Sequence, residues 1–337
     1  MSIPSNPDRP LALVIGATGG VGGEVARVLL TRGWRIRALN RNPQAAAKAA
    51  SGLNGIEWVK GDSMDAASVI AAAQGANLIV HGANPPGYRN WAGTALPMLE
   101  STIAAARASG ARILFPGTVY NFGPETFPLV AETAPRRPRT RKGAIRVAME
   151  QRLAQVASEG VPVLIVRAGD FFGPRSGNNW FGAMIQPGKP VSLILNPGRR
   201  GVGHAWAYLP DLAETMARLC ERTDDLSAFE VFHFEGHWLK DGREMAEAIR
   251  RAVAPARPAI IPFPWPVAWL AAPFAETFRE LLEMRYLWRQ PLRLDNSRLK
   301  AVLGEEPRTD LDTAVRASLI GQGSLTPATP SASLRLA

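Results

Sequence analysis

Three glycines follow a short apolar run near the start of the chain. The run is Leu11–Ile15, the glycines are Gly16, Gly19 and Gly22, and an amphipathic helix pattern follows at once. Dinucleotide pyrophosphates bind at a strand, a glycine turn and a helix in this order, because the glycines allow a tight turn and close approach of the backbone. The helix N-terminus adds N–H groups and partial positive charge that attract an anion. The segment therefore predicts a nucleotide-binding site.

The end of the second predicted strand indicates which nicotinamide nucleotide binds. NAD sites place a carboxylate here that hydrogen-bonds the ribose 2′-hydroxyl. This chain has Asn40 and Arg41 instead, and an arginine presents two parallel donors to a phosphate. We therefore expect NADP(H), with NAD(H) as the alternative cofactor. The alternative interpretation of Arg41 is an exposed arginine in a loop before a helix.

Further cofactor contacts are predicted after the third and fourth strands. Asp62 is placed to accept a hydrogen bond from the adenine amino group, or else to cap its own loop. At the end of the fourth strand, small residues let the chain pass close to the cofactor, and His81 is interpreted as structural rather than catalytic. The predicted cofactor contacts are Gly16, Thr18, Gly19, Val21, Gly22, Asn40, Arg41, Asp62, Ser63, His81, Gly82, Ala83 and Arg146.

Strand and helix patterns alternate through the first half of the chain. Strands are predicted at 11–15, 34–39, 56–59, 78–80, 113–115 and 163–166, and helices at 44–50, 66–73, 98–108 and 145–157 follow the one after Gly22. We expect Asp65 to cap the helix at 66–73. This alternation predicts an α/β fold with a doubly wound parallel sheet of the Rossmann type.

The alternation ends after Arg167 and divides the chain. We expect a dinucleotide-binding domain at 8–170, to which 202–235 returns with a strand at 229–234. A smaller C-terminal α/β substrate domain is expected from 171–201 and 236–319, with a long helical stretch at 267–286. The Ser-, Thr-, Pro- and Ala-rich segment 320–337 is expected to be a disordered tail.

Composition favours a cytoplasmic enzyme. The chain has 337 residues, 46% of them apolar, which is enough for a substantial core. One cysteine, Cys220, excludes a disulfide framework, and the polar N-terminus lacks the apolar core of a signal peptide. The net charge of +10 comes from scattered basic residues without a nucleic-acid-binding motif, so we expect no nucleic-acid partner.

These motifs together resemble the extended short-chain dehydrogenase/reductase family of the NAD-dependent epimerase/dehydratase type. The resemblance covers about residues 10–320. Beyond the glycine motif it includes Gly61-Asp62, Thr118-Val119-Tyr120, the segment from Arg167 to Pro174, His204 with Asp211, and the segment from Leu294 to Leu311. The resemblance implies nicotinamide-dependent chemistry on a small carbonyl or hydroxyl compound and, through the helix bearing Lys142, a homodimer.

The chain departs from this family at the catalytic helix. The family has a tyrosine, a lysine four residues later and often a glutamate after four more. Aligned on Glu150, the tyrosine position holds Lys142 and the lysine position holds Arg146. This spacing keeps the three side chains on one helix face. Arg146 can hold the ribose and supply charge but cannot exchange protons near neutral pH, and Lys142 does so only in a strongly desolvating site.

Two other residues are predicted to bind the substrate oxygen and to donate its proton. Thr118 occupies the place of the family's hydroxyl residue, which hydrogen-bonds the substrate oxygen. Tyr120 is the nearest phenol and is the predicted proton donor, or alternatively a packed aromatic residue. Tyr88 is a third phenol, in a proline-rich loop that Trp91 follows. With Lys142 and Arg146, Thr118 and Tyr120 form the predicted catalytic set.

Two further patterns remain open to a functional or a structural interpretation. A basic run, from Arg136 to Arg152, either attracts an anionic substrate or forms a solvated loop. Aromatic residues of the second half predict an apolar substrate pocket or ordinary core, and contact with a membrane surface is the less favoured alternative. The pocket residues named on this basis are Trp180, Phe181, Met184, Trp206, Phe263, Trp265 and Trp269.

We therefore expect an NADP(H)-dependent oxidoreductase or epimerase acting on a small-molecule substrate, without a metal. The alternative is a non-catalytic NADP-binding redox sensor or assembly factor that lost the Tyr/Lys pair.

Overall fold

A computed structural model describes residues 9–50, 52–84, 90–177, 179–222, 225–274 and 276–327. Tyr88 lies outside the described residues. The strands are β1 Leu11–Ile15, β2 Arg35–Asn40, β3 Glu57–Lys60, β4 Leu78–His81, β5 Arg112–Thr118, β6 Leu129–Val130, β7 Val163–Ala168, β8 Asp170–Phe172, β9 Leu193–Asn196, β10 His204–Tyr208, β11 Phe229–His233, β12 His237–Leu239, β13 Ala259–Pro262 and β14 Arg293–Leu294. The helices are α1 Gly20–Thr31, α2 Pro43–Ala49, α3 Ala66–Ala72, α4 Trp91–Ser109, α5 Arg141–Ser158, α6 Trp180–Met184, α7 Leu209–Cys220, α8 Glu244–Ala252, α9 Trp265–Ala271, α10 Glu276–Glu283, α11 Ser297–Leu303 and α12 Leu311–Gly321.

A seven-stranded parallel sheet forms the centre of the first unit. Its strand order is β11-β7-β5-β4-β1-β2-β3, so the chain reverses direction across the sheet between β1 and β4. The predicted doubly wound fold is confirmed. Each predicted strand of the first half is present, with bounds shifted by a few residues, and β11 is the seventh strand. The Asp65 carboxylate caps α3, as expected, by accepting the N–H groups of Ala67 and Ser68.

Helices cover both faces of this sheet. On one face α1 and α7 pack together, and Val25 and Leu212 are buried between them and the strands. On the other face α3, α4 and α5 bury residues such as Leu99 and Leu153. Because both faces are covered, the strands are apolar on both sides, as β1 shows with five buried residues. Polar residues at the carboxyl ends of the strands are thereby held on a rigid scaffold.

The second unit packs small sheets against short helices. Strands β8, β10 and β12 form one sheet, and β9 pairs with β13. The segment 202–235, expected to return to the first domain, contains both β10 and β11. Strand β11 joins the central sheet, whereas β10 belongs to the separate three-stranded sheet. The core of the second unit includes Phe172, Phe181, Trp206 and Trp288.

Two expectations about the C-terminal part are wrong. The helical stretch predicted at 267–286 is divided into α9, α10 and a 3-10 turn at Arg285–Trp288. Pro273 follows the end of α9 and has no N–H group with which to continue the helix. The sequence predicts disorder from residue 320, but α12 continues to Gly321 and Ser324 is buried. Residues 328–337 lie outside the described part.

In the described ranges, no helix combines the length and the hydropathy needed to cross a bilayer.

Candidate functional site

The predicted site residues meet in one cavity of about 780 Å³ at the carboxyl edge of the central sheet. In parallel α/β sheets, ligands bind at this edge where the strand order reverses. Gly22 packs against the backbone of Gly16 and is not part of the cavity wall. The other predicted catalytic and cofactor residues line the cavity: Gly16, Thr18, Gly19, Val21, Asn40, Arg41, Asp62, Ser63, His81, Gly82, Ala83, Thr118, Tyr120, Lys142 and Arg146. Residues more than a hundred positions apart are thus brought together by the topology of the sheet.

The glycine turn leaves no room for side chains. Gly16 has a φ of +89°, and a Cβ there would lie 2.5 Å from the carbonyl oxygen of Gly82. A Cβ on Gly22 would lie 2.5 Å from the carbonyl oxygen of Gly16. The N-terminal turn of α1 therefore reaches the cavity as bare backbone, through Gly19 and Gly20. This is the arrangement that presents N–H groups to a phosphate.

At the end of β2, Arg41 is exposed and lines the cavity. The neighbouring Asn40 side chain accepts the N–H of Asn42 at 2.8 Å, which holds the turn into α2. Among the described lining residues, the carboxylates are those of Asp62 and Asp170, and neither is on β2. Asp62 accepts the N–H of Met64 at 3.0 Å, so it caps its own loop while facing the cavity.

His81 is held as a neutral ring at the end of β4. The Thr102 hydroxyl donates to the carbonyl oxygen of Met98, so its oxygen accepts the Nδ1–H of His81 at 2.8 Å. Burial, together with the charge of Arg146, lowers the pKa of His81 to about 3. The Nε2 atom therefore carries a lone pair, and this buried atom has no hydrogen-bond partner among the described residues.

Thr118, the last residue of β5, and Tyr120, just after it, lie on the cavity wall. The Thr118 hydroxyl accepts the N–H of Tyr120 at 3.3 Å and starts a 3-10 turn at Val119–Asn121. Helix α5 packs closely on this turn, since a Cβ on Gly143 would lie 2.2 Å from the carbonyl oxygen of Tyr120. The turn and α5 are therefore held together at a glycine contact.

Lys142 and Arg146 face the cavity from the first turns of α5. Thr140 caps this helix by accepting the N–H of Gly143 at 2.9 Å. Lys142 is buried, and its backbone N–H donates to Glu283. The Arg146 guanidinium donates to the carbonyl oxygen of Pro116 at 3.2 Å and lies against the rings of Trp91 and Phe115. Two cationic side chains, four residues apart on α5, thus line the cavity.

The third residue of that helix face does not reach the cavity. Glu150 is buried and binds Arg167, Asn121 and Arg136. Other arginines of the basic run also form ion pairs away from the cavity, Arg152 with Glu100 and Arg139 with Glu125. Of the run's basic residues, Lys142 and Arg146 are the ones that line the cavity. Arg136, Arg139 and Arg152 thus form ion pairs within the fold, rather than the solvated loop or the anion-attracting surface that the sequence left open.

The aromatic pocket predicted for the second half is mostly core. Trp180 lines the cavity, but Phe181, Met184, Trp206 and Phe263 are buried inside the second unit and Trp265 packs against its core. Trp269 was also expected in the pocket, but it is 67% exposed on α9. Composition alone indicated an aromatic core and could not distinguish its inner residues from those on the cavity.

Sequence reasoning assigned no role to several residues of the cavity wall. Asp170 lines the cavity with its carboxylate bound to His204, and Asn84 accepts the indole N–H of Trp91 at 2.7 Å. Asp170 and His204 both lie in sequence motifs that carry the family resemblance. Membership in these motifs is the sequence feature that could have indicated a role for them. Their contact joins two strands and could not be read from either motif.

Comparisons with known proteins agree with this architecture. The model of the NAD dependent epimerase/dehydratase family matches residues 12–233. An uncharacterized protein, y4nL, from Sinorhizobium fredii is 28% identical over 265 residues, which cover 71% of this chain and 69% of that protein.

Two solved structures have the same fold. The enzyme WbmH from Bordetella bronchiseptica in complex with NAD+ superposes with a TM-score of 0.70 at 19% identity, covering 94% of this chain and 100% of WbmH. A UDP-glucose-4-epimerase from Stenotrophomonas maltophila with bound NAD and a formylated UDP-arabinopyranose has a TM-score of 0.74 at 14% identity, covering 93% and 98% of the two chains. Since the family model spans most of the chain, including the glycine turn and the strands that carry the cavity, this protein belongs to the NAD dependent epimerase/dehydratase family.

Proposed function

We propose that this protein is an NADP(H)-dependent oxidoreductase or epimerase acting on a small carbonyl or hydroxyl compound. The observation that carries the proposal is the convergence of the predicted cofactor residues with Thr118, Tyr120, Lys142 and Arg146 on one cavity. A site that only bound a nucleotide would not need the cationic and hydroxyl side chains that line the cavity after β5 and on α5. The solved relatives hold NAD and nucleotide sugars, which supports a nucleotide-linked substrate class.

The residues present fit a dinucleotide. Backbone at Gly19 and Gly20 is free of side chains for the pyrophosphate, and the close packing of Gly16 on Gly82 leaves that space open. Asp62 and Ser63 would face the adenine end. The unpartnered Nε2 atom of His81 offers an acceptor near Arg146, where the nicotinamide end would lie. When bound, the nicotinamide ring would donate or accept a hydride.

The preference for NADP(H) rests on the end of β2. Arg41 lines the cavity there, and no carboxylate of β2 is present to repel a 2′-phosphate. An arginine that binds this phosphate adds charge-assisted hydrogen bonds that NADH cannot form.

The protein's own residues would act on the substrate oxygen. Thr118 would orient this oxygen by a hydrogen bond, and Lys142 and Arg146 would stabilise negative charge that develops on it. Tyr120 lines the same wall, and its assignment as proton donor stays a prediction. Trp180, Leu281 and Met284 close the cavity from the second unit and would contact the substrate. A homodimer through α5 is proposed from the family resemblance.

A fluorescence titration with NADPH and NADH tests the cofactor. We expect Arg41→Ala to weaken NADPH binding about 10-fold to 100-fold and to leave NADH binding unchanged, since a charge-assisted hydrogen bond contributes about 1.5–3 kcal/mol. Arg316→Ala, at an exposed arginine of α12 away from the cavity, is the matched control and should leave both affinities unchanged. Equal NADPH binding by wild type and Arg41→Ala would contradict the 2′-phosphate assignment.

Turnover distinguishes the enzyme from a sensor. The NADPH complex is mixed with aldehydes, ketones and nucleotide sugars, and NADPH absorbance is followed. Oxidation with any of them supports the oxidoreductase. An epimerase returns its hydride to the substrate and leaves NADPH absorbance unchanged, so each nucleotide sugar is also tested with the NADP+ complex for conversion into its epimer. Tight binding with neither oxidation nor epimerisation favours the non-catalytic redox sensor or assembly factor, and failure to bind either nucleotide contradicts both functions.

A further inference from the structure

A buried carboxylate–imidazole pair lies on the substrate side of the cavity. The Nε2 atom of His204 is 2.7 Å from Oδ2 of Asp170, and both side chains are at least 92% buried. Asp170 lines the cavity, whereas His204 lies behind it. Strands β8 and β10 run parallel with Asp170 opposite Trp206, and this pairing brings the two residues together.

Both ring nitrogens of His204 face oxygen acceptors. Nδ1 is 3.3 Å from the carbonyl oxygen of Leu287, and Nε2 is 2.7 Å from Oδ2 of Asp170. A hydrogen bond between Nε2 and Oδ2 places a proton between these two atoms. A ring that donated to both oxygens would hold one proton more than a neutral imidazole, and that proton would be the one available for transfer. The ring is fixed by stacking on Trp288, with centroids 3.8 Å apart.

Asp170 lies at the end of the cavity where the substrate oxygen is expected. In the register of β5 and β7, Thr118 lies opposite Ala168, two residues before Asp170. The other carboxylate on the described wall, Asp62, follows β3, which is five strand spacings from β7 in the sheet order. At about 4.8 Å for each spacing, β3 and β7 are roughly 24 Å apart across the sheet. Asp170, which follows β7, is therefore the lining carboxyl group on the Thr118 side of the sheet.

A nearby phenol is less suited to the same task. Burial, with the negative charges of Asp170 and Glu283, raises the pKa of Tyr286. Its hydroxyl donates to the carbonyl oxygen of Phe122, and it does not line the cavity.

We propose that Asp170 exchanges the proton with the substrate oxygen, with His204 as the positioning residue that holds this proton in place. This assignment rests on the proposed function, and Asp170 would take the proton-transfer role that a tyrosine has in the family. In the reductive direction, the O–H bond of Asp170 breaks and an O–H bond forms on the substrate oxygen, while the hydride for the substrate carbon comes from the reduced nicotinamide. Asp170 is left as a carboxylate beside neutral His204 and regains its proton from solvent through the cavity.

Nuclear magnetic resonance of the wild-type protein, without cofactor, tests the shared proton. We expect a far-downfield proton signal from the bond between His204 and Asp170 that disappears in both Asp170→Asn and His204→Gln. His237→Gln, at another buried histidine outside the cavity, should keep the signal. Absence of the signal from the folded wild-type protein would show that the pair shares no proton and would overturn the proposal.

Turnover tests the catalytic role. With a carbonyl compound that the wild type reduces, Asp170→Asn should lower kcat about 100-fold to 10,000-fold and leave NADPH affinity unchanged, as expected for loss of a general acid. Asp211→Asn makes the same change at a buried aspartate that binds Thr309 away from the cavity, and should keep wild-type kcat. Unchanged kcat in Asp170→Asn, with a large loss in Tyr120→Phe, would assign the proton to the phenol and overturn the proposal.

The two levels of failure are distinguishable. If the wild type binds NADPH but neither reduces nor epimerises any of the compounds, the proposed function fails, and the catalytic role of Asp170 fails with it. If the wild type turns over and Asp170→Asn does so equally well, the function stands and this inference is wrong.

Discussion

Arg167 and Glu150 form a two-point ion pair inside the protein. Nε of Arg167 donates to Oε1 of Glu150 at 3.0 Å, and Nη2 donates to Oε2 at 2.7 Å. The two side chains are 2% and 1% exposed. Asn121 donates to the same carboxylate at 2.7 Å, and so ties the turn after β5 to α5 and β7. Glu150 of α5 therefore holds together elements that carry the cavity wall.

Glu150→Gln should destabilise the protein and leave NADPH affinity unchanged. Because Arg167 would keep a buried charge without its counter-ion, we expect a loss of about 3–5 kcal/mol in the free energy of unfolding. Urea denaturation measures this loss. The control Glu100→Gln removes the exposed pair with Arg152 and should cost at most about 1 kcal/mol. Equal stabilities of the two variants would refute the structural role of Glu150.

Gly22→Ala should abolish NADPH binding and lower the melting temperature. Alanine normally favours a helix over glycine, but a methyl group here would lie 2.5 Å from the carbonyl oxygen of Gly16 and push the turn apart. At Gly182 of α6, a Cβ would lie 3.6 Å from its nearest neighbour, so Gly182→Ala is the control that should bind NADPH normally. Normal NADPH binding by Gly22→Ala would show that the glycine turn accommodates the added methyl group, and would contradict the prediction.

Arg146→Met should weaken NADPH binding by about 10-fold to 100-fold, the value of a charge-assisted hydrogen bond. Methionine keeps much of the packing between Trp91 and Phe115 but removes the charge beside His81. Arg146→Lys restores a cation and should retain most of the affinity. Fluorescence titration measures both variants, and equal affinities for Met and Lys would contradict an electrostatic contact.

Acidification below neutral pH should destabilise the protein through its buried histidines. Burial and the charge of Arg167 lower the pKa of His233 to about 3, and its ring donates to Val130 and accepts from Arg167 as a neutral group. The unfolded histidine gains a proton near pH 6.5 and the folded one does not, so this contribution is present above about pH 6.5 and is lost as pH falls toward 3. The loss for each such histidine is at most about 1.4 kcal/mol per pH unit.

Urea denaturation at about pH 7 and about pH 5.5 measures the loss of stability. His81 and His237 also have lowered pKa values and add to this loss. Burial raises the pKa of Asp211 and Glu306, and this contribution opposes the loss as the pH falls. His233→Gln lacks the titrating ring and should lose less stability than the wild type between the two pH values. The same loss in both proteins would exclude His233 as a source.

The sequence by itself determined the nucleotide-binding half of this protein. Strand β1, the glycine turn and α1 are contiguous, and their pattern depends on local backbone geometry that only glycine satisfies at Gly16 and Gly22. The alternation of strands and helices likewise predicted the parallel sheet. Residues at the carboxyl ends of its strands, such as Arg41 and Thr118, could then be assigned to one edge before any contact was known.

Tertiary structure alone decided which distant side chains are partners. Asp170 and His204 are 34 residues apart and meet through the pairing of β8 with β10. Glu150 shares a helix face with Arg146, yet the position of Arg167 directs it into the core. Trp206 and Trp269 are the same residue type, but packing buries one and leaves the other exposed. Burial and partner choice depend on the whole packed chain, so composition and spacing could not supply them.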